Sequence, residues 1–437
     1  MTLNRRRVLA GAGVAGVGAL GFGTWQRRRI RRFSERRDFR DIAAIDVPQI
    51  EADPVITMPL LESAYNRTVS RFDEIEQRLE PPLDRYSMDF VEELREQLID
   101  EAPDRVTISS HVPSYGAPAM HAARRQTLSI YHIRRSRLVS VLAYNSPEEL
   151  PSETFEEDAM TVRDRIESLT VPYRGGTLGE AIIAGATIEW AIGSAESRLQ
   201  RAKGEDDHPA QWQDLERATA AIEDAESFVQ ARDGSDYADD VPTVTKRFVN
   251  EFEQRKAKAP GELVQDTSVD GEPVPSFASS AIASAHQSMR LLGAAPSGRR
   301  GLPEDGTYGQ TALTYALLLP TVSLYEAFAD VPSVSYWEEL DYEPGVTPEA
   351  LRAEKSATID AVSPQIGADD PLVAHLATVP LGVVRDADRR LQTLTVDPGE
   401  FDDTEWARRC GQVRLEYESA RRYAEAIDES IDIITER

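Results

Sequence analysis

Residues 406–434 read WARRCGQVRLEYESARRYAEAIDESIDII, and Trp406, Cys410, Val413, Tyr417, Ala420, Ala424, Ile427, Ile431 and Ile434 recur in it at steps of three and four. Such steps keep side chains on one face of an α-helix, where 3.6 residues make a turn; a half-buried strand needs strict alternation. The seam predicts one long C-terminal helix. A heptad seam serves either a coiled coil with a second subunit or the chain's own bundle, and the second use is the commoner and the expectation here.

The same rhythm extends outward. Leu61, Tyr65, Thr68, Phe72, Ile75 and Leu79 form a second seam that stops at Pro81 and Pro82. Helical periodicity also covers residues 84–101, 119–144, 152–169, 178–202, 209–231, 241–258, 276–293, 308–329, 348–362 and 371–395, with almost no strand alternation. The fold class is therefore all-α, a multi-helix bundle. The longest polar connector, 260–275, is rich in Gly, Pro and acids and suggests two helical lobes, 59–259 and 276–437. GTLGE at 176–180 and GTYGQ at 306–310 open uncharged helices on either side of it, each with a threonine N-cap and a Glu180 or Gln310 placed to close a capping box. A duplication would fit, although this is a common way to begin a helix. The uncharged run 306–325 is long enough to cross a bilayer, but Gln310, Thr311, Thr314, Pro320, Thr321 and Ser323 make a buried central helix the expectation. Pro320 and Pro380 should kink or divide their helices.

Residues 1–26 read as an address. Asn4, Arg5, Arg6, Arg7, Val8 and Leu9 head an uncharged run, Val8 to Trp25, that contains six glycines. The arrangement resembles the twin-arginine export signal, with Arg5 and Arg6 as the pair and Val8 and Leu9 among the apolar positions that follow. The resemblance is confined to this end of the chain and implies export in a folded state. No small-x-small cleavage site follows the run and no cysteine ends it, so an uncleaved membrane anchor is expected, then a basic and polar linker over 27–58. The arginines of 27–40 outnumber Arg5 to Arg7, which by the positive-inside rule favours a cytoplasmic body. The specific arginine motif is given more weight, and the outer face of the cell membrane is the expected location.

The whole chain carries a net charge of −26; residues 1–40 hold 11 Arg against Glu35 and Asp38, a net +9, which leaves −35 on residues 41–437. A body of that sign repels nucleic acid. Lysine is scarce, with Lys203, Lys246, Lys256, Lys258 and Lys355 the five in the chain. Acid excess with few lysines resembles the exported proteins of extreme halophilic archaea, and molar salt shortens the screening distance to about 3 Å, which tolerates such self-repulsion. A single cysteine, Cys410, excludes an internal disulfide, so stability must come from the core.

Searches for chemistry return little. The six histidines, His111, His121, His132, His208, His286 and His375, show no metal-ligand spacing. His121 and His132 would share a helix face about 16 Å apart, too far for one metal. Around them HAARRQTLSIYHIRRSR supplies Arg124, Arg125, Arg134, Arg135 and Arg137, read as partners for acidic helices, with an anion site as the sharper alternative. RGGTLG at 174–179 would suit a phosphate at a helix start. SGRRGLPEDGTYG at 297–309 has P-loop-like glycines, but Thr307 stands where the lysine is required. Ser194 lacks a hydrolase elbow, Cys410 lies on a buried seam, and Glu189, in the apolar ATIEWAIG, is either an acid of shifted pKa or one paired at a helix edge. No catalytic residue, cofactor or metal site is assigned. The leading expectation is a membrane-tethered cell-surface helical binding or scaffolding protein, touching the membrane through its N-terminal segment and open to a protein partner or self-association through its C-terminal helix. The alternatives are an exported enzyme or small-ligand receptor with an inter-lobe site, and an anchored protein with a cytoplasmic body.

Overall fold

Apolar faces of period 3.6 need other helices to cover them, and the chain folds accordingly. In the computed structural model, which describes residues 35–48, 55–79, 85–100, 102–103, 120–258, 307–327, 346–396 and 403–435, helix follows helix: α1 (35–43), α2 (Met58–Arg78), α3 (Arg85–Asp100), α4 (Met120–Asn145), α5 (Ser152–Ser168), α6 (Leu178–Gly204), α7 (His208–Gln230), α8 (Asp240–Lys256), α9 (Tyr308–Ala327), α10 (Pro348–Ile366), α11 (Pro371–Val396), α12 (Asp403–Glu425) and α13 (Ile427–Thr435). The protein is an all-α multi-helix bundle. Among the described residues the β structure is a two-stranded antiparallel ribbon, β1 (Arg174–Gly175) with β2 (Ser235–Asp236), which ties the approach to α6 to the approach to α8. Gly234 turns into that ribbon at φ 96°, where a Cβ would stand 2.5 Å from the Gly175 carbonyl oxygen, so a side chain there is excluded twice over.

The helix starts follow local chemistry. Thr177 accepts the Glu180 amide at 3.1 Å, as expected of GTLGE, while the Glu180 side chain accepts at 2.9 Å the amide of Gly176, one residue before the cap, rather than that of Thr177 itself. Asp207 and Thr347 cap α7 and α10 through the amides of Ala210 and Ala350, in each case with a proline at the first or second helical position.

The buried apolar residues fall into two cores. One gathers α2 to α5, the second half of α6 and α7, around Leu61, Phe72, Ile75, Tyr131, Leu138, Ile188 and Ile222. The other gathers α1, the first half of α6, and α8 to α13, around Phe39, Ile182, Phe248, Leu317, Leu376, Leu391 and Tyr417. Helix α6 belongs to both, because its apolar residues circle the whole helix from Ala181 to Ala191. Helix α8, on the N-terminal side of the connector, packs with α9 in the C-terminal core. The connector at 260–275, the periodic stretch 276–293 and the signal-like residues Arg5, Arg6, Val8 and Leu9 lie outside the described residues.

Three expectations meet a different outcome. The C-terminal seam is divided between α12 and α13 at Ala426, whose amide reaches the carbonyls of Arg422 and Tyr423. Its members from Trp406 to Ile427 are nonetheless buried in the protein's own core, with Ile431 and Ile434 packed against it. Of the kink or division expected at Pro320 and Pro380, division does not occur, since α9 and α11 run through them. Residues 35–43, part of the stretch expected to be linker, form α1, whose Phe39 stacks on Trp406 at 5.6 Å and whose Ile42 is buried. The C-terminal carbonyls of α1, Ile42 and Ala43, accept from Lys355 Nζ at 2.9 and 3.3 Å, and the same buried ammonium meets Asp388. The uncharged helix α9 is buried as expected, and no described helix is long and apolar enough to cross a membrane.

Candidate functional site

Helices α2, α5 and α7 carry polar stripes at the same helical period as their apolar ones. On α2 the stripe is Glu62, Ser63, Asn66, Arg67, Ser70, Arg71 and Glu74; on α7 it is Glu216, Thr219 and Glu223; α5 adds Asp158, Thr161 and Arg165, and Arg135 reaches in from α4. Because the apolar faces of these helices meet in the first core, the polar stripes converge beside it and enclose an open cavity of about 830 Å³.

The floor is an ion-pair ladder. Arg135 and Glu216, both nearly inaccessible, are hydrogen-bonded to each other, and Arg135 also donates to Glu223 at 2.6 Å. Arg71 joins Glu216 at 3.0 Å, Arg67 joins Asp224 at 2.5 Å, and Arg165 meets Glu226 through two bonds of 2.8 and 2.7 Å. Burial by itself would raise the Glu216 carboxyl, but Arg135 and Arg71 outweigh it and hold it below the usual carboxylate range. Burial works against the charge on Arg135 as well, and Glu216 with Glu223 more than restores it. Removing one member of so buried a pair leaves a charge without compensation, a loss of about 3–5 kcal/mol. Asp158 stands on the exposed face of α5, yet the adjoining wall withdraws enough water to raise its carboxyl, with Arg71 opposing and Glu157 and Glu216 reinforcing.

Part of the basic segment of α4 is paired internally, while Arg137 is exposed. Arg135 serves the ladder, His132 Nε2 lies 2.8 Å from Asp224, Arg124 donates to the Ile56 carbonyl, and Arg125 reaches Thr187 and lies 4.8 Å from the Trp190 ring centroid. The side chain of His121 lies outside the described residues. Residues Arg67, Arg71, Asp158, Arg165, Glu216 and Glu223 were not singled out by motif. Their signal was the second, polar period on α2 and α7, visible once the apolar period is removed.

Glu189 is a cap. Its Oε1 accepts the Tyr173 hydroxyl at 2.5 Å and the Gly309 amide at 2.9 Å, and its Oε2 accepts the Gln310 amide at 2.6 Å. A buried carboxylate thus sits on the N-terminus of α9, where the helix dipole and unpaired amides favour negative charge. The Gln310 amide, expected to turn to Thr307, is taken by an acid 121 residues distant. Burial, and then the Glu189 charge, push the Tyr173 hydroxyl up, so it remains a donor.

The remaining candidates have structural surroundings. In RGGTLG the Gly176 amide is occupied by Glu180, so a phosphate would compete with the protein's own carboxylate. Cys410 is buried and its thiol is pushed up to about 12 by burial, with Glu35 adding to the shift, far from a reactive thiolate. Ser194 lies inside α6, with no strand-to-helix turn to expose it. Among the described residues no group of three or more His, Cys, Asp or Glu side chains is placed to hold a metal ion. No family model, curated protein or solved structure matches the chain.

Proposed function

We propose that this chain is an exported, membrane-tethered helical protein of the cell surface that works by binding, with the charged cavity between α2, α5 and α7 as its binding site. The cavity carries the reading. Its charged floor is buried and paired before any ligand arrives, so the site is rigid, and preorganisation of polar groups favours binding. Ion pairs buried this deeply give weak support to stability, since well-packed apolar residues serve as well or better. The twin-arginine resemblance and the missing cleavage motif support export and tethering.

Two experiments test it. Replacing Arg5 and Arg6 by Lys is expected to leave the body protected from external protease in intact cells, while the unaltered chain is digested. Protection of the unaltered chain would place the body inside. For binding, the full chain purified from membranes in molar KCl is expected to carry a small molecule, recovered by extraction and mass spectrometry, that is lost with Arg67→Gln and Arg165→Gln together. Recovery from both proteins alike would remove the cavity from consideration.

A further inference from the structure

A different cavity, of about 600 Å³, opens between α3, α4 and the first turns of α7. In a chain with 75 acidic residues, its lining contains none. The charged residue in that lining is Arg137, which is exposed and makes no hydrogen bond or ion pair with another described residue. Beside it Ser140 and Gln213 are neutral groups whose side chains likewise make no hydrogen bond with another described residue. Phe90 and Tyr144 add aromatic surface, and Tyr144 is 73% exposed.

The local field is positive. Arg217 on α7 donates at 2.9 Å to Ser136, the residue before Arg137. Burial lowers the Arg217 guanidinium, and repulsion from Arg198, Arg137 and Arg201 lowers it further against the attraction of Asp214. Asp214 is shared, with its Oδ1 2.9 Å from Arg198 and 3.9 Å from Arg217. Arg137 and Arg201 have no carboxylate partner among the described residues. Cations gathered in this way favour an incoming anion and repel a cation. We infer that the cavity binds a small organic anion, its carboxylate or phosphate on the Arg137 guanidinium beside Ser140 and Gln213, and its ring or hydrocarbon body against Phe90 and Tyr144. The volume of about 600 Å³ lies in the range of small-molecule sites and exceeds the needs of an inorganic anion. The inference does not depend on the cavity between α2, α5 and α7.

Phosphorus NMR titration of the detergent-solubilised full chain in molar KCl, with phenyl phosphate as the probe, tests it. Molar chloride competes for exposed guanidinium groups, so binding that persists there requires the ring as well as the charge. Phenyl phosphate is expected to bind saturably at one site, and inorganic phosphate about tenfold or more weakly. Phenethylamine, which carries the ring with the opposite charge, should not displace the probe. Arg137→Gln should weaken phenyl phosphate by about tenfold or more, the loss of a charge-assisted contact, and Tyr144→Ala by about fivefold. The same charge change at Arg414→Gln, exposed on α12, should leave the affinity unchanged. All three side chains are exposed, so the helical spectrum is the check on folding. Equal weakening by Arg137→Gln and Arg414→Gln, or no binding of phenyl phosphate, would overturn the inference. Displacement by phenethylamine would overturn the sign of the ligand. Inorganic phosphate bound as tightly as phenyl phosphate would overturn its organic body.

Discussion

Replacing Glu189 by Ala removes the acceptor for three donors at once: the Tyr173 hydroxyl and the amides of Gly309 and Gln310. Glu189 is 4% exposed, so solvent does not readily replace it. A buried donor left without an acceptor costs about 1–3 kcal/mol, and water admitted to the vacated space brings three such donors toward the low end, giving a loss of about 3–6 kcal/mol. That is a large share of the 5–15 kcal/mol typical of folded domains. Glu189→Gln keeps the volume and one acceptor oxygen but turns an amide donor toward a donor, so an intermediate loss of about 2–3 kcal/mol is expected. Tyr173→Phe deletes one donor and should cost about 1 kcal/mol. The assay is denaturant unfolding of the full chain in molar KCl followed by far-UV circular dichroism, with the denaturant slope compared among variants. A loss below about 1 kcal/mol for Glu189→Ala would refute the capping argument. So would a Glu189→Gln variant as stable as the parent.

Other consequences are as direct. Burial pushes the Glu416 carboxyl up to about 7, with Arg390 opposing and Asp386 reinforcing, against about 4.5 for an ordinary glutamate. The folded protein therefore holds this proton more tightly than the unfolded chain. Its contribution is complete below about pH 4.5 and is lost as pH rises to about 7, a change of about 3 kcal/mol. Glu416→Gln should flatten the stability profile across that window and be the more stable protein above it; parallel profiles would contradict the assignment. At Gly309 a Cβ would lie 2.7 Å from the Ala186 amide nitrogen and 2.9 Å from the Gly185 carbonyl carbon, so Gly309→Ala must part α9 from α6. A loss of about 1–3 kcal/mol in the same unfolding assay is expected. With −35 on residues 41–437, transfer from molar to dilute KCl lengthens the screening distance from about 3 to about 10 Å and should diminish the helical spectrum. A spectrum indifferent to salt would remove salt adaptation as the reason for the acidity.

Local information was enough for the helices. The expected 152–169, 178–202 and 209–231 correspond to Ser152–Ser168, Leu178–Gly204 and His208–Gln230, because periodicity, caps and prolines all act within a few residues of one another. Local reading also placed the burial of the uncharged α9 and of the seam from Trp406 to Ile427. It extended the C-terminal helix across Ala426 because a seam records which face is buried, and that face continues although the backbone hydrogen bonding shifts there.

Partnership was a different matter. The sequence marked Glu189 as an acid in apolar surroundings, and GTYGQ as a helix start, without any sign that one caps the other. It singled out Arg135 within a basic segment but not Glu216 or Glu223, with which Arg135 forms one floor. A side chain's period fixes the direction it points on its own helix, while its partner depends on which helices cross and at what distance. Those crossings are set by the summed burial of many apolar residues in two cores, with Gly309 against Gly185 and Ala186 permitting a close approach of α9 to α6. The sequence by itself therefore determined the helices, their buried faces and the excess of negative charge. Only the tertiary structure decided that polar stripes on α2, α5 and α7 enclose a cavity, and which acids on α7 pair with the arginines that α2, α4 and α5 bring to it.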